Sequence, residues 1–168
     1  MPDVSMEKIK QLRERTSAGV MDCKRALEQS GGDMEKAEKL LAEWGMASAS
    51  KKAHRVTAQG LVESYIHAGG RIGVIVEVNC ETDFVARTDE FRKLAHDIAM
   101  QIAAQNPIVV HEEDLPEGFE GLPTEAVLML QPFIRDPSRT IRDLVNEAIG
   151  KTGENIQVRR FARFEIGE

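Results

Sequence analysis

The sequence predicts an α+β protein, in which a small helical bundle precedes an antiparallel three-stranded sheet with packed helices. Apolar residues up to about residue 45 recur at helical spacing and are interrupted by glycine-containing turns. Beyond residue 60 the period changes, because LVESYIHA and RIGVIVEVNC are typical of strands and are separated by Gly-Gly. We expect a boundary near Ala53, with a three-helix module and helical linker over 1–53 and an α+β core over 54–168.

Three helices of about ten residues are predicted for the N-terminal module. The first runs from Met6 to about Arg15 and is broken by TSAG. Asp22 is predicted to cap the second, and the turn SAGVM before it to present Val20 and Met21. The buried face of the second helix is predicted to comprise Cys23, Ala26 and Leu27.

The third helix is predicted to begin at an Asp33 cap, after SGG has ended the second helix. Its apolar stripe follows the spacing i, i+3, i+4, i+7 and consists of Ala37, Leu40, Leu41 and Trp44. The following MASASKKAHRVTAQG favours a helical linker or a short fourth helix. Its basic residues suit either a solvated helix end or contact with an acidic partner; they are Lys51, Lys52, His54 and Arg55.

The core is predicted to begin with a β-hairpin formed by the two strand-like runs. A long helix, TDEFRKLAHDIAMQIAAQ, then starts at a Thr88 cap and ends before Pro107. Two shorter helices follow, in PTEAVLMLQ and RTIRDLVNEAIGKTG, and NIQVRRFARFEI is predicted to be a third strand paired with the hairpin. Along that strand, one face is expected to hold Ile156, Val158 and Arg160, and the other Gln157, Arg159 and Phe161.

The stretch NCETDFVAR connects the hairpin to the long helix. Thr82 can cap a short helical turn with Asp83 in its first positions, and a second Thr-Asp pair starts the long helix six residues later. An unbroken helix would place Phe84 on the same buried stripe as Phe91, whereas a kink would let it point outward. Spacing alone favours the buried position for Phe84, and composition leaves both open.

Charge and composition exclude several function classes. The 168 residues carry a net charge of −6, which argues against a general nucleic-acid binder. The charged start MPDVSMEKIKQ and the lack of an apolar run near ~20 residues predict a cytoplasmic protein without a membrane span. Cys23 and Cys80 lie far apart and form no metal-ligand pattern, so we expect two free, buried thiols and no metal or cofactor.

Acidic residues dominate the stretch from Leu94 to Ile134, which contains no lysine or arginine. The pattern is typical of a solvated loop around HEEDLPEGFEGLP, and a docking surface for a basic partner is the alternative.

Three segments closely resemble the bacterial elongation factor Ts family: TSAGVMDCKRALEQSGGDMEKA, VIVEVNCETDFVAR and KTGENIQVRRFARFE. The resemblance extends from about Met6 to Glu165. It implies a guanine-nucleotide exchange factor for elongation factor Tu, which is not an enzyme in the chemical sense. It also implies a module similar to a ubiquitin-associated three-helix bundle, and a core with its helices on one side of the sheet.

The same resemblance implies which residues contact elongation factor Tu. The module would dock on the GTPase domain through residues that match the family, namely Leu12, Gly19, Val20, Met21 and Lys24. The TDFV motif would act at the magnesium and phosphate region, and its residues are Thr82, Asp83, Phe84 and Val85. The resemblance therefore implies an exposed Phe84 that inserts into the partner.

The chain is shorter than the long members of this family, which carry a second core subdomain and a coiled-coil insertion. Only HEEDLPEGFEGLPTEAVLML separates the long helix from QPFIRD, which is too short for either. The resemblance thus implies a single core subdomain that pairs as a homodimer. Neither cysteine lies on the last strand, so a dimer through that strand would be non-covalent.

Two other functions fit parts of the sequence. A protein-binding module of ubiquitin-associated type would explain residues 1–45 but not the TDFV motif or the sheet. A thiol or metal enzyme would need Cys80, Glu81, Asp83 and His67 to gather near one strand end, and the sequence shows no base–nucleophile or metal-ligand spacing for it. The histidines are expected to be ordinary surface or half-buried residues: His54, His67, His96 and His111.

Overall fold

The computed structural model describes residues 4–16 and 18–168, and it has the predicted α+β architecture. In chain order the elements are α1 (Met6–Thr16), α2 (Val20–Gln29), α3 (Met34–Lys52), β1 (Gln59–Ile66), β2 (Ile72–Cys80), α4 (Asp83–Ala86), α5 (Asp89–Gln105), α6 (Pro123–Ala126), β3 (Pro132–Phe133), β4 (Asp136–Thr140), α7 (Ile141–Thr152) and β5 (Ile156–Glu165). Short 3-10 turns cover Glu112–Asp114 and Leu128–Leu130.

The three N-terminal helices enclose a small hydrophobic cluster of their own. The second helix begins earlier than predicted, because the Gly19 carbonyl accepts the Cys23 N–H at 2.9 Å and adds a turn. Asp22 therefore lies in the first turn of α2 rather than at its cap, and Val20 and Met21 are helical. The buried members of the cluster are Ile9, Leu12, Cys23, Ala26, Leu27 and Ala37.

Helix α3 is longer than the sequence pattern indicated. Asp33 caps it as predicted, accepting the Lys36 N–H at 3.0 Å. Residues 46–52 continue the same helix, so the expected linker is not a separate fourth helix. Alanine and lysine in this stretch are strong helix formers, which explains the continuation. The helix ends where a boundary near Ala53 was predicted, and the division into 1–53 and 54–168 stays a prediction.

Helix α3 contributes to two hydrophobic clusters. Leu40, Leu41 and Trp44 pack on the cluster of the N-terminal helices, whereas Ala49 packs on the main core. Near the middle of α3, Gly45 lies against α7, and a Cβ placed there would be 3.5 Å from the Asn146 carbonyl oxygen. A continuous helix therefore joins the N-terminal bundle to the core.

The sheet has the order β1-β2-β5, with both pairs antiparallel as predicted. Gln59 lies opposite Cys80, and Cys80 lies opposite Ile156, so the end of β2 adjoins the start of β5. The inner face of β2 packs on the main core, to which α5 contributes most of its buried side chains. The buried inner-face residues of β2 are Val74, Val76, Val78 and Cys80.

A bulge in β5 changes which side chains face the core. Val158 pairs with Val78 but Arg160 pairs with Glu77, so Arg159 is an extra residue in the strand. The predicted alternation is correct for Ile156 and Val158 and wrong afterwards, because one extra residue moves every later side chain to the other face. Arg160 is exposed, whereas Phe161 packs against the core.

The segment between α5 and β5 differs from prediction in detail. The PTEAVLMLQ helix is shortened to α6, because Val127 has an extended backbone and forms a parallel bridge with Val109. The sequence did not indicate the small ribbon of β3 and β4. Helix α7 begins with a reciprocal cap, in which Thr140 and Asp143 bind each other's backbone N–H. Among the described residues, no helix is long and apolar enough to cross a membrane.

Candidate functional site

The connection between β2 and α5 contains two consecutive helix caps, as the sequence predicted. The Thr82 hydroxyl accepts the Val85 N–H at 3.4 Å and starts the single-turn helix α4. The Thr88 hydroxyl accepts the Phe91 N–H at 3.2 Å and starts α5, while it donates to the Val85 carbonyl at 2.8 Å. The chain therefore kinks between the two helices instead of forming one continuous helix.

The kink points Phe84 into solvent, where 82% of its surface is exposed. Its neighbours point the other way, because Val85 packs against the core and Ala86 is buried. The buried position that spacing favoured for Phe84 is wrong, since the stripe shared with Phe91 requires an unbroken helix. The exposure that the family resemblance implied is present in the structure.

The four TDFV residues have different environments. Thr82 and Val85 hold the turn, through the cap and through packing on the core. Asp83 has half of its side chain exposed and pairs with Arg87, four residues on, at 3.1 Å. An exposed ion pair of this kind contributes little to stability, about 0–1 kcal/mol, so Asp83 can exchange its partner at small cost. Within the motif, Asp83 therefore presents a polar side chain to solvent and Phe84 presents an apolar one.

A groove of about 450 Å³ lies beside α4, between this helix and β1. Charged side chains of both signs line it, including Asp83, Glu63, Arg87 and Arg92. Next to the exposed Phe84 the molecule therefore offers a concave polar surface suited to a partner's charged side chains.

A second candidate surface lies at the start of α2. Met21 is 73% exposed and Val20 is 43% exposed, and both occupy the first turn of the helix. Gly19 and Lys24 are also exposed, and Lys24 is 3.9 Å from Glu28. Leu12 is different, because it has no exposed surface and lies inside the hydrophobic cluster of the module. It can support α2 from within but offers no surface to a partner.

The outer face of the sheet carries a third apolar surface. It lies on the side opposite the core and contains a groove of about 410 Å³ along β2 and β5. Each of its large apolar side chains is at least half exposed: Val62, Ile66, Ile75 and Phe164.

The structure separates the residues that a thiol or metal enzyme would need. His67 follows the end of β1 at the hairpin turn, whereas Cys80 lies at the other end of β2, opposite Gln59. Burial, assisted by the nearby Glu154 carboxylate, raises the pKa of the Cys80 thiol to about 11. Cys80 is therefore a protonated, buried thiol near neutral pH. Within residues 4–16 and 18–168, no group of three or more histidine, cysteine, aspartate or glutamate side chains is placed to hold a metal ion.

Sequence reasoning missed Glu154, which contacts the TDFV turn directly. Its carboxylate accepts hydrogen bonds from the backbone of Glu81 and from the backbone and hydroxyl of Thr82. The residue lies in KTGENIQVRRFARFE, one of the three family-like segments. The sequence offered one signal for Glu154, because this glutamate lies in a family-like segment just before a predicted strand.

Several known proteins of one family are similar to this chain. A family model described as elongation factor TS matches residues 6–121. Elongation factor Ts of Carboxydothermus hydrogenoformans is 50% identical over 98% of this chain and 90% of its own length. The protein of the same name from a Thermoanaerobacter species is 50% identical over 98% of this chain and 96% of its own length.

A third relative, elongation factor Ts of Desulforamulus reducens, is 49% identical over the whole chain and 91% of its own length. That alignment spans 198 positions although this chain has 168 residues, so the relative carries additional residues within the aligned region. With a family model over most of its length and identity near one half over nearly all of it, the chain belongs to the elongation factor Ts family of translation factors.

Proposed function

We propose that this protein binds elongation factor Tu in its GDP-bound and nucleotide-free states and promotes exchange of GDP for GTP in the cytoplasm. The observation that supports the proposal most directly is Phe84, a phenylalanine left 82% exposed on a short helix whose other apolar residues pack inward. The fold gains little from an aromatic in this position. A partner that buries it would gain a large apolar contact.

The proposed mechanism acts on the nucleotide indirectly. A GTPase holds GDP through magnesium and through backbone N–H groups around the phosphates. Insertion of Phe84 beside this region, with Asp83 as an adjacent acceptor, would displace the loops that support the metal. No bond of the nucleotide breaks, so the protein acts as an exchange factor and not as an enzyme with covalent chemistry.

Reciprocal coupling explains how the complex would turn over. If the exchange factor weakens nucleotide binding, a nucleotide must weaken binding of the exchange factor by the same ratio. GTP that enters the vacant site would therefore release this protein. This cycle requires no direct contact with nucleic acid or membrane.

We also assign GTPase-domain docking to the start of α2. Val20 and Met21 form an exposed apolar pair, and Lys24 on the same helix adds a positive charge nearby. The three helices with their compact cluster resemble a ubiquitin-associated bundle used as a protein-binding module. Leu12 would contribute by holding α1 against α2, since its side chain is buried.

We further infer that the protein forms a homodimer through the outer face of its sheet. That face exposes apolar residues on all three strands, including Val62, Ile75 and Phe164. An apolar face of this kind normally marks an interaction site, and a second copy would cover it with an equivalent surface. Sedimentation or light scattering that gives one chain mass at micromolar concentration would contradict this part of the proposal.

Release of fluorescent GDP from elongation factor Tu tests the main proposal. We expect wild-type protein to accelerate release, and Phe84→Ala to slow it roughly 30-fold, which corresponds to a hot-spot contribution of about 2 kcal/mol. Leu122→Ala is the matched control, because Leu122 is also a largely exposed apolar residue but lies in the acidic segment. Equal rates for wild type and Phe84→Ala would show that Phe84 does not drive exchange.

A further inference from the structure

The turn between α7 and β5 lies against the turn that carries Phe84. Helix α7 ends at Thr152 and is capped by Gly153, whose φ of 72° is a left-handed conformation that glycine adopts readily. Strand β5 then begins at Ile156, directly opposite Cys80 at the end of β2. The residues that precede β5 are therefore brought beside those that follow β2.

Glu154 uses both carboxylate oxygens to hold the turn between β2 and α4. Its Oε2 accepts the N–H groups of Glu81 and Thr82, each at 3.0 Å. Its Oε1 accepts the hydroxyl of Thr82 in a short hydrogen bond. Hydrogen bonds to an ionised carboxylate are stronger than neutral ones, so this single side chain is a substantial anchor.

Reciprocal contacts extend the anchor to the end of α3. The Glu81 carboxylate accepts the Asn155 N–H at 2.7 Å. The buried Asn155 side-chain amide donates to the Arg55 carbonyl at 2.8 Å and to the Ala53 carbonyl at 3.4 Å. Three separate segments are thus hydrogen-bonded together at the base of α4.

The anchor adds to the packing of Val85 and the buried Ala86 in holding α4. A single helical turn is not stable alone, and Phe84 contributes little packing to the rest of the molecule. The Thr82 hydroxyl donates to Glu154, which leaves its oxygen free to accept the Val85 N–H that starts α4. Glu154 therefore orients the group that caps the helix.

We propose that Glu154 is a positioning residue that holds α4 so that Phe84 projects toward a partner. Its effect on exchange rests on the proposed function, whereas its effect on α4 does not. Glu154 acts through Thr82 and has no need to touch elongation factor Tu.

Hydrogen exchange in the free protein tests the positioning itself. In Glu154→Ala we expect faster hydrogen exchange at the amides of residues 81–87. Glu154→Gln should exchange at a rate between those of Glu154→Ala and wild type, because glutamine keeps one acceptor oxygen. Glu147→Ala is the control, since Glu147 lies on α7 with similar exposure but pairs with Arg139 and Lys151 instead. Protection at 81–87 that is unchanged in Glu154→Ala would overturn the proposal.

A double-mutant cycle tests whether Glu154 acts through Phe84. We expect Glu154→Ala to lower the maximal GDP-release rate roughly tenfold, less than the ~10²-fold that a 1 Å misplacement can cost. In a Phe84→Ala background the same change should cost almost nothing, because the positioned group is gone. An equal loss in both backgrounds would show that Glu154 acts elsewhere and would overturn the proposal.

The two measurements separate this proposal from the proposed function. If wild-type protein fails to accelerate GDP release, the exchange function is wrong. The amide exchange at 81–87 then still decides whether Glu154 holds α4.

Discussion

At the scale of single residues, Phe84 and Phe91 show how a cap can override spacing. They are seven residues apart and would share one face of a continuous helix. Thr88 interrupts that helix, because its hydroxyl accepts the Phe91 N–H and donates to the Val85 carbonyl. Phe91 is therefore 1% exposed, whereas Phe84 is 82% exposed.

The sequence indicated the two caps but not the consequence for Phe84. Thr82 and Thr88 each precede an acidic residue, which is a local signal of a helix start. The direction in which Phe84 points depends on the angle between α4 and α5. That angle is set partly by Glu154, a residue 70 positions away, and local periodicity carries no information about it.

We expect alanine substitutions of these two phenylalanines to differ greatly in their effect on stability. Phe91→Ala should lower the free energy of unfolding by about 3–5 kcal/mol, because it leaves a cavity in the core. Phe84→Ala should change it by less than about 0.5 kcal/mol, as for an exposed side chain without special contacts. Urea unfolding followed by circular dichroism measures both values. A large loss for Phe84→Ala would mean that Phe84 serves the fold.

At the scale of elements, β5 departs from regular strand alternation and α3 extends beyond its predicted end, for different reasons. The bulge at Arg159 comes from pairing with β2, and the sequence of β5 alone does not locate it. The extension of α3 to Lys52 was locally encoded by helix-forming residues. Their small side chains resembled a linker because α7, which packs against α3, is distant in the sequence.

The crossing of α3 and α7 predicts that substitutions at Gly45 depend on side-chain size. A Cβ at Gly45 would be 3.5 Å from the Asn146 carbonyl oxygen, which is an ordinary contact. Gly45→Ala should therefore be tolerated, and its higher helix propensity can add up to about 1 kcal/mol of stability. Gly45→Leu should separate the helices, because its longer side chain meets the backbone of α7.

Limited proteolysis near residues 46–60 and thermal unfolding distinguish these outcomes. We expect faster cleavage and a lower Tm for Gly45→Leu, and wild-type cleavage for Gly45→Ala. Equal resistance of the two variants would indicate that the crossing tolerates a wider separation of the helices.

At the scale of the whole molecule, the change from helical to strand-like spacing of apolar residues near residue 60 was enough to predict the architecture. Predicting the candidate site also required contacts between residues far apart in the sequence. The helical bundle, the hairpin and the third strand were each predictable from local spacing. The β3 and β4 ribbon was not, because DPSRT lacks the apolar alternation of a strand. The open face of the sheet follows only from knowing that every large helix of the core packs on the other side.

That open face leads to a prediction about assembly. Ile75 lies at the centre of the outer face, on the middle strand, and is 51% exposed. If two copies pair through this face, Ile75→Glu places an unpaired charge in an apolar interface, at a desolvation cost that favours separation. Wild-type protein should then have about twice the chain mass of 18.7 kDa, and Ile75→Glu a single chain mass.

Light scattering after gel filtration measures these masses, with Leu122→Glu as the matched control. Leu122 is 61% exposed but lies outside the sheet, so its variant should keep the wild-type mass. Helical and strand content from circular dichroism should be the same for all three proteins, because the outer face contributes nothing to the core of one chain. An Ile75→Glu protein that keeps the wild-type mass would place any dimer contact elsewhere.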